Sequence, residues 1–315
     1  MSDRIDVVSL GDVLVDISLL VPHYPTVGGD VEAWQLEKSP GGSAANFAVA
    51  VAKMGLRSAF LGKVGSDEEG RFLYEDLKHE GVDVSHLRFA ERTGTVLVVV
   101  DGDGQRTMFS FRGSTTQYGP DEVDCDLIAS SSIVHVSGYA LIHAPQRDAA
   151  LRAMEHARQA NVPVSLDPGP HINIAEQNTV TRALRLTTLI LPDLAEAQLL
   201  TNQVNPEDAA NKLLNLGPKI VALKLGEHGS MIATGDQHLL IPSLRVNAVD
   251  TTGAGDAFDA GFIAGFLKGW TLRAAGEFAN ATAALKITKR GARTGLPTLN
   301  EVTSFLHAQS KVISS

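Results

Sequence analysis

Short apolar, β-branched runs alternate along this chain with stretches of helical periodicity, and that alternation restricts its folds more than any other feature. The runs are IDVVSLG (5–11), SAFLGKVG (58–65), SIVHVSG (132–138), PVSLD (163–167), TLILP (188–192) and KIVALKLG (219–226). Most are apolar at consecutive positions and so have no polar face for water, the pattern of strands covered on both sides of a parallel sheet. Between them, SAANFAVAVAKMG (43–55), EEGRFLYEDLKHEG (68–81), QRDAALRAMEHARQAN (146–161) and PEDAANKLLNLG (206–217) read as helices, several closed by a Gly or Asn at the C-cap. Strand, helix and strand in succession over 315 residues predict a doubly wound α/β fold in a single domain spanning 1–315.

Two stretches break the rhythm. TGTVLVVVDGDGQRTMFSFRG (93–113) reads as a hairpin turning at DGDG, and the segment 17–42 is irregular but rich in Gly and Pro. Together, about 17–38 and 93–113 predict a small β-sheet standing off the main one, and a cover over a site is one use for it.

Charge narrows the partners. With 27 basic and 36 acidic residues, a net charge of -9 and no long run of one sign, the chain lacks the electrostatic footprint of a nucleic-acid or membrane-surface binder. Small molecules and further copies of the chain remain. The lone Cys125 cannot form an intramolecular disulfide, and no Cys/His cluster has zinc spacing, which fits a reducing cytoplasm. No secretory leader pattern or apolar run of membrane-spanning length is expected.

The stretch VDTTGAGDAFDAGF (249–262) runs from an extended segment into an apolar helix. Each glycine placed in a helix interior costs about 0.8–1 kcal/mol, so something must offset Gly253, Gly255, Gly261 and, just beyond, Gly265. Gly253-Ala254-Gly255 leaves the first-turn N–H groups unobstructed, and those groups with the positive end of the helix dipole form an anion site. Asp256 lies in the same turn, where the dipole favours its ionised form, ready to accept a proton from a hydroxyl. A base beside an anion hole suits phosphoryl transfer to an alcohol; the plainer alternative is a Gly turn with Asp256 as dipole partner or cap.

SPGGSAANFAVAVAKMG (39–55) is the second informative stretch. Gly41 and Gly42 allow a ligand close to the backbone, Ser43 is a candidate cap, and the Asn46 amide can donate to and accept from sugar hydroxyls. A turn with a locally bonded Asn is the alternative. Asp16 follows the first strand, at the edge where open α/β sheets bind ligands, though turn formation is its commoner use.

These stretches resemble the two signatures of the ribokinase-like (PfkB) carbohydrate and nucleoside kinase family: GGSAANFAVAVAKMG the first, DTTGAGDAFDAGF the second. GDVLVD, GKVGSDEEG, KLGEHG and FANATAALKITKRGA extend the resemblance over nearly the whole chain. No GxxxxGK(S/T) loop and no protein-kinase loop set occurs.

The resemblance implies a three-layer, mostly parallel sheet with a β-sheet lid, ATP and Mg2+ as cofactors, and in many members a homodimer through the lid. It implies that Asp256 is the catalytic base, with Gly253, Ala254 and Gly255 as the anion hole. It puts Asp16, Gly42 and Asn46 on sugar hydroxyls, and Lys224, Gly226, Gly229 and Asn280 at the nucleotide. Asp250, Thr252 and Gly291 resemble a monovalent cation site, for K+. The family's NxxE motif reads here as Asp193-Leu-Ala-Glu196, an acid replacing the amide, which would still serve Mg2+ through water. Where many fructokinase and 2-keto-3-deoxygluconate kinase relatives carry an Arg shortly after a DPN turn, DPGPHIN (167–173) has His171, so an acidic sugar lacks one expected cationic partner. Arg106 and Arg112 on the hairpin are further candidates for substrate binding, or else solvated edge-strand charges.

The resulting expectation is an ATP-dependent kinase acting on a primary hydroxyl of a small sugar. Fructose is favoured, because GDVLVD and the KLG loop resemble fructokinase-type members. 2-Keto-3-deoxygluconate kinase, ribokinase and nucleoside kinase are the alternatives, and a non-catalytic sugar-binding regulator the alternative of another class, against which the intact Asp256 counts.

Overall fold

The computed structural model describes residues 4–313. Its strands are β1 (Val7–Leu10), β2 (Leu14–Leu20), β3 (Gln35–Gly41), β4 (Ser58–Gly65), β5 (Val82–Asp83), β6 (Leu87–Ala90), β7 (Gly94–Val100), β8 (Arg106–Phe111), β9 (Ile133–Ser137), β10 (Val164–Asp167), β11 (Leu189–Ile190), β12 (Ile220–Lys224), β13 (Ser230–Ala233) and β14 (His238–Ile241). The helices are α1 (Ser43–Lys53), α2 (Glu68–His79), α3 (Cys125–Ser130), α4 (Gln146–Gln159), α5 (Gln177–Leu186), α6 (Leu194–Thr201), α7 (Pro206–Leu216), α8 (Ala254–Leu267), α9 (Leu272–Lys286) and α10 (Leu299–Ile313).

The main sheet runs β14-β13-β12-β11-β10-β9-β1-β4-β5, with β6 also on β4. It is parallel from β12 to β5 and closes on one side with the antiparallel β13 and β14. Successive side chains divide between two cores, as the two-residue period of a strand requires. Val8, Leu10, Val134, Val136, Val221 and Leu223 pack under α3, α4, α5 and α7, while Val7, Phe60, Ile133, Leu189 and Ala222 pack under α1, α2, α8 and α9. Apolar residues at consecutive strand positions therefore mean helices on both faces. The helices expected at 43–55, 68–81, 146–161 and 206–217 form, each followed by a residue at positive φ: Gly55, Gly81, Asn161 and Gly217.

From β1 the chain winds through β4 in one direction and later through β9 to β12 in the other, so the strand order reverses at β1 and β9. A crevice opens there at the strands' C-terminal ends. Gly11 lies at this point, and a Cβ on it would stand 2.6 Å from that of Ala44.

A second sheet, β3-β2-β7-β8, stands apart. It begins at Leu14 and reaches Gly41, so Asp16 lies within one of its strands rather than in a turn after β1. Register sets Asp16, Val96 and Ser110 side by side on one face, and Ile17, Leu97 and Phe109 on the other. Trp34, Leu36, Met108, Phe109 and Phe111 are exposed large apolar side chains on this sheet or at its edge. Among the described residues no helix is long and apolar enough to cross a membrane.

Candidate active site

Two helix N-termini converge over the crevice because α1 packs on α8. Each is preceded by a glycine at positive φ, Gly42 at 96° and Gly253 at 78°, which offers no capping side chain of its own. In α1 the Ala44 and Ala45 amides already donate to Asp12, at 3.4 and 3.3 Å, and in α8 the Ala254 amide donates to the Thr251 carbonyl at 3.1 Å, so the anion-binding capacity rests on the α8 amides beyond Ala254 and on the two dipole ends. Close approach explains both glycines: a Cβ on Gly42 would meet the Asp12 carbonyl oxygen at 2.5 Å, and one on Gly253 the Ala292 carbonyl oxygen at 2.8 Å.

Asp256, on the first turn of α8, is only 8 % exposed. Its Oδ1 accepts from Ser43 Oγ at 2.8 Å and its Oδ2 from Asn46 Nδ2 at 3.1 Å. Ser43 is therefore the first residue of α1 and a partner of Asp256, not the cap that its sequence position suggests. Burial, then the charge of Asp167, pushes the Asp256 carboxyl up to about 7 despite these donors. The dipole that favours ionisation is outweighed.

Asn46 is held from behind by Arg293, a residue to which sequence reasoning assigned nothing. This buried guanidinium donates from Nε to Asn46 Oδ1 at 2.9 Å and from a terminal nitrogen to the Gly41 carbonyl oxygen at 3.0 Å, and it pairs closely with Asp76 of α2. Gly41 in turn makes room for Asp16, since a Cβ there would stand 2.4 Å from an Asp16 carboxylate oxygen. Burial and neighbouring Asp12 raise the Asp16 carboxyl to about 6, against Arg293 and Arg112.

On the other side of Asp256, Lys224 at the end of β12 reaches Asp259 at 3.2 Å and Asp167 at 3.4 Å. Burial opposes its charge, yet Asp167, Asp259 and Glu196 together hold the ammonium well above the usual lysine range. A Cβ on Gly255 would lie 3.4 Å from Lys224 Nζ, so the ammonium borders the Gly253-Ala254-Gly255 turn itself. Beyond it, Gly226 at φ 58° has open space where a Cβ would point. Gly229 and Asn280 have packing roles: a Cβ on Gly229 would meet the Ile241 carbonyl oxygen at 2.0 Å, and Asn280 Nδ2 donates to the Ile241 and Pro242 carbonyls at 3.2 and 3.1 Å.

Asp193 and Glu196 form a capping box on α6: Asp193 Oδ1 accepts from the Glu196 amide at 2.7 Å and Glu196 Oε2 from the Asp193 amide at 2.8 Å. Burial and Asp167 raise Glu196 to about 8. No group of three or more His, Cys, Asp or Glu among the described residues is arranged to hold a metal by itself. Hard oxygen donors on Asp167, Asp193 and Glu196 nonetheless fit a magnesium ion carried in on phosphates and held through water.

The two hairpin arginines diverge. Arg106 donates to Thr252 Oγ1 at 2.9 Å, joining the second sheet to the loop before α8. Arg112 lies 3.4 Å from Asp12 and 4.3 Å over the Tyr139 ring, lining a cavity of about 230 Å³ with Tyr139, His143, Gln146 and His171. His135, by contrast, stacks on Phe47 and bonds Ser165; burial holds it neutral, down to about 3.

Asp250 is fully engaged. Its Oδ1 accepts from Thr252 N and Oγ1 at 2.9 and 2.7 Å, and its Oδ2 from Gly291 N at 2.8 Å. Its carbonyl oxygen accepts from Lys286 Nζ at 2.9 Å. Lys286 was another residue missed, although its spacing of four and eight from Thr282 and Phe278 puts it on the buried stripe of α9.

A doubly wound fold with a buried carboxylate between two helix ends defines a phosphotransferase with an alcohol acceptor. The chain belongs to the pfkB family carbohydrate kinases, whose sequence profile matches residues 4–299. It is 32% identical over 321 residues to the 2-dehydro-3-deoxygluconokinase of Bacillus subtilis, covering 98% of each chain. It is 34% identical to fructokinase-1 of Zea mays, covering 95% of this chain and 97% of that one. Arabidopsis thaliana ribokinase, solved with ribose and ATP, superposes with a TM-score of 0.87 at 25% identity over 96% of this chain and 99% of that one.

Proposed function

We propose that this chain transfers the γ-phosphoryl group of ATP to a primary hydroxyl of a small sugar, with fructose as the favoured acceptor. The observation that carries the reading is the Asp256 carboxylate, bonded to Ser43 and Asn46 where two helix N-termini meet. In this mechanism Asp16, the Gly41-Gly42 backbone and Asn46 hold the sugar, and Asp256 takes the proton of the attacking hydroxyl. The Gly253-Ala254-Gly255 turn receives the charge on the transferring phosphoryl group through the α8 amides beyond Ala254, whose own amide closes on the Thr251 carbonyl, with Lys224 beside it. ATP lies along the Gly226–Gly229 turn. Asp193 and Glu196 would hold, through water, a Mg2+ brought in with the nucleotide, which would supply neutralisation of phosphate charge. The second sheet acts as a lid, with Arg106 reaching Thr252 to exclude water that would compete as acceptor.

The cavity supports a neutral sugar over an acid. Arg112 is already paired with Asp12, and no lysine or second arginine lines the space, whereas its hydroxyl, imidazole and amide groups suit polyol hydrogen bonds. 2-Keto-3-deoxygluconate is the second reading, favoured by likeness to the Bacillus subtilis enzyme and by Arg112 as a single carboxylate partner. The exposed Leu36, Phe109 and Phe111 on the outer face of the lid support a homodimer through that sheet, in the cytoplasm where ATP is at hand. The test is ADP release with Mg·ATP across fructose, 2-keto-3-deoxygluconate, ribose, tagatose, fructose 1-phosphate, adenosine and inosine. A high kcat/KM for fructose is expected; a preference for the keto acid moves the assignment to the second reading, and silence with ATP still bound overturns both.

A further inference from the structure

The most unusual buried charge outside the carboxylate cluster is Lys286, the last residue of α9, with 0 % of its surface exposed. An ammonium out of water needs oxygen partners, and helix C-termini favour cations. Its Nζ donates to the carbonyl oxygen of Asp250. Burial pulls its proton affinity down, and Asp250, then Asp256, oppose that.

The surroundings are a two-loop bracket under the start of α8. The Val249 and Asp250 amides donate to the Ile287 carbonyl at 2.7 and 3.1 Å, Gly291 N holds Asp250 Oδ2, and the Ala254 amide closes on the Thr251 carbonyl at 3.1 Å. This bracket sets where Gly253 begins the anion-binding turn. The residues that resemble a monovalent cation site lie here, but their donor set does not fit an added ion. A K+ site replaces the ion's hydration shell with several oxygens, mostly carbonyls. Here both Asp250 carboxylate oxygens accept N–H or O–H donors, and its carbonyl oxygen faces an ammonium. A second cation beside it would be repelled in a poorly screened interior.

We propose that the Lys286 ammonium is this chain's own monovalent cation: it holds the Asp250 loop beneath the anion hole permanently, so that phosphoryl transfer needs no added K+. The inference rests on the kinase reading for its kinetic arm alone. Without K+ to bind, the loop's order and the positive charge beneath the phosphoryl site would not vary with the salt present.

The experiment compares ADP release at constant ionic strength in tetramethylammonium, Na+ and K+ salts, for the wild type and Lys286→Met, and the thermal midpoint of each protein in the same salts. The wild type is expected to vary less than about twofold between tetramethylammonium and K+, with an unchanged midpoint. Lys286→Met, similar in length but uncharged, should lose about tenfold or more in tetramethylammonium and recover partly with K+, its midpoint rising with K+ alone. Activation of the wild type fivefold or more by K+ overturns the proposal on the approximate scale of a bound effector, as does a Lys286→Met that keeps full turnover or loses it with no response to K+. The wild-type salt series needs no variant and decides the matter should Lys286→Met fail to fold. The midpoints are read without substrate, so a failure of the kinase reading leaves this test standing.

Discussion

Arg293 donates from Nε to Oδ1 of Asn46 across 2.9 Å, although 247 positions separate them in the chain. That bond decides which way the amide faces. With its oxygen committed to Arg293, Asn46 turns Nδ2 to Asp256 Oδ2 and supplies one of the two side-chain donors on that carboxylate.

Arg293→Lys keeps a charge but loses the fork that grips Asn46, the Gly41 carbonyl and Asp76 together. We expect kcat to fall about tenfold as the amide loses its fixed orientation, and the acidic limb of the pH profile to move upward as Asp256 loses a well-aimed donor. Arg293→Met leaves Asp76 unpaired and should lower unfolding free energy by about 3 kcal/mol, read from denaturant midpoints. A stability loss with an unshifted pH profile would confine Arg293 to the scaffold.

Asp256→Asn removes the base and keeps the shape. Turnover should drop by about two orders of magnitude or more while ATP binding, followed by calorimetry, persists. In the wild type, kcat/KM should rise by about one log unit per pH unit up to the Asp256 midpoint and level above it, because the base acts ionised; that midpoint is about 7.

The same group gives stability a pH dependence of definite sign. Its folded-state value of about 7, and that of about 6 for Asp16, lie above the ordinary carboxyl value of 3.8, so the folded chain binds more protons than the unfolded one between these limits. Their contribution is fully present below the unfolded value and is lost as pH rises through 6 and 7. Unfolding midpoints at mildly acidic and mildly basic pH should show the wild type losing stability across that window and Asp256→Asn losing less.

Gly41→Ala would thrust a methyl to within 2.4 Å of an Asp16 carboxylate oxygen. The carboxylate must swing away, and KM for the sugar should rise about tenfold, with a smaller change in kcat, as a ground-state contact is lost. Unchanged KM would remove Asp16 from the sugar site.

Arg106→Met cuts the link to Thr252 at the protein surface, where stability is expected to change by less than about 0.5 kcal/mol. If the second sheet closes as a lid, ADP release without sugar should increase relative to sugar phosphorylation, since water gains access. Equal coupling in variant and wild type would refute the latch.

Much of the architecture is legible in the sequence because its causes are local. The consecutive apolar positions of SIVHVSG require cover on both faces, and the periodicity of 43–55 with Gly55 at its end specifies α1 within a few residues. The Gly253-Ala254-Gly255 turn is legible for the same reason, as a backbone property of adjacent residues. So is the spacing of Asp193 and Glu196, which pair as a capping box at the start of α6. The second sheet is less so: its strands begin at Leu14 and end at Gly41, beyond the expected 17–38, because one apolar face is bare and regular alternation does not mark its edges.

By itself the sequence determined the layers, the glycine turns and the presence of one acid at a helix mouth, all of which follow from chemistry within a few residues. Tertiary structure alone decided what surrounds that acid. Lys224 meets Asp167 and Asp259, Arg293 meets Asn46, and Lys286 meets Asp250 only because helices and strand ends remote in sequence pack against each other. A buried charge takes its partners and its proton affinity from whatever the fold brings within a few ångströms, and no local pattern encodes that distance.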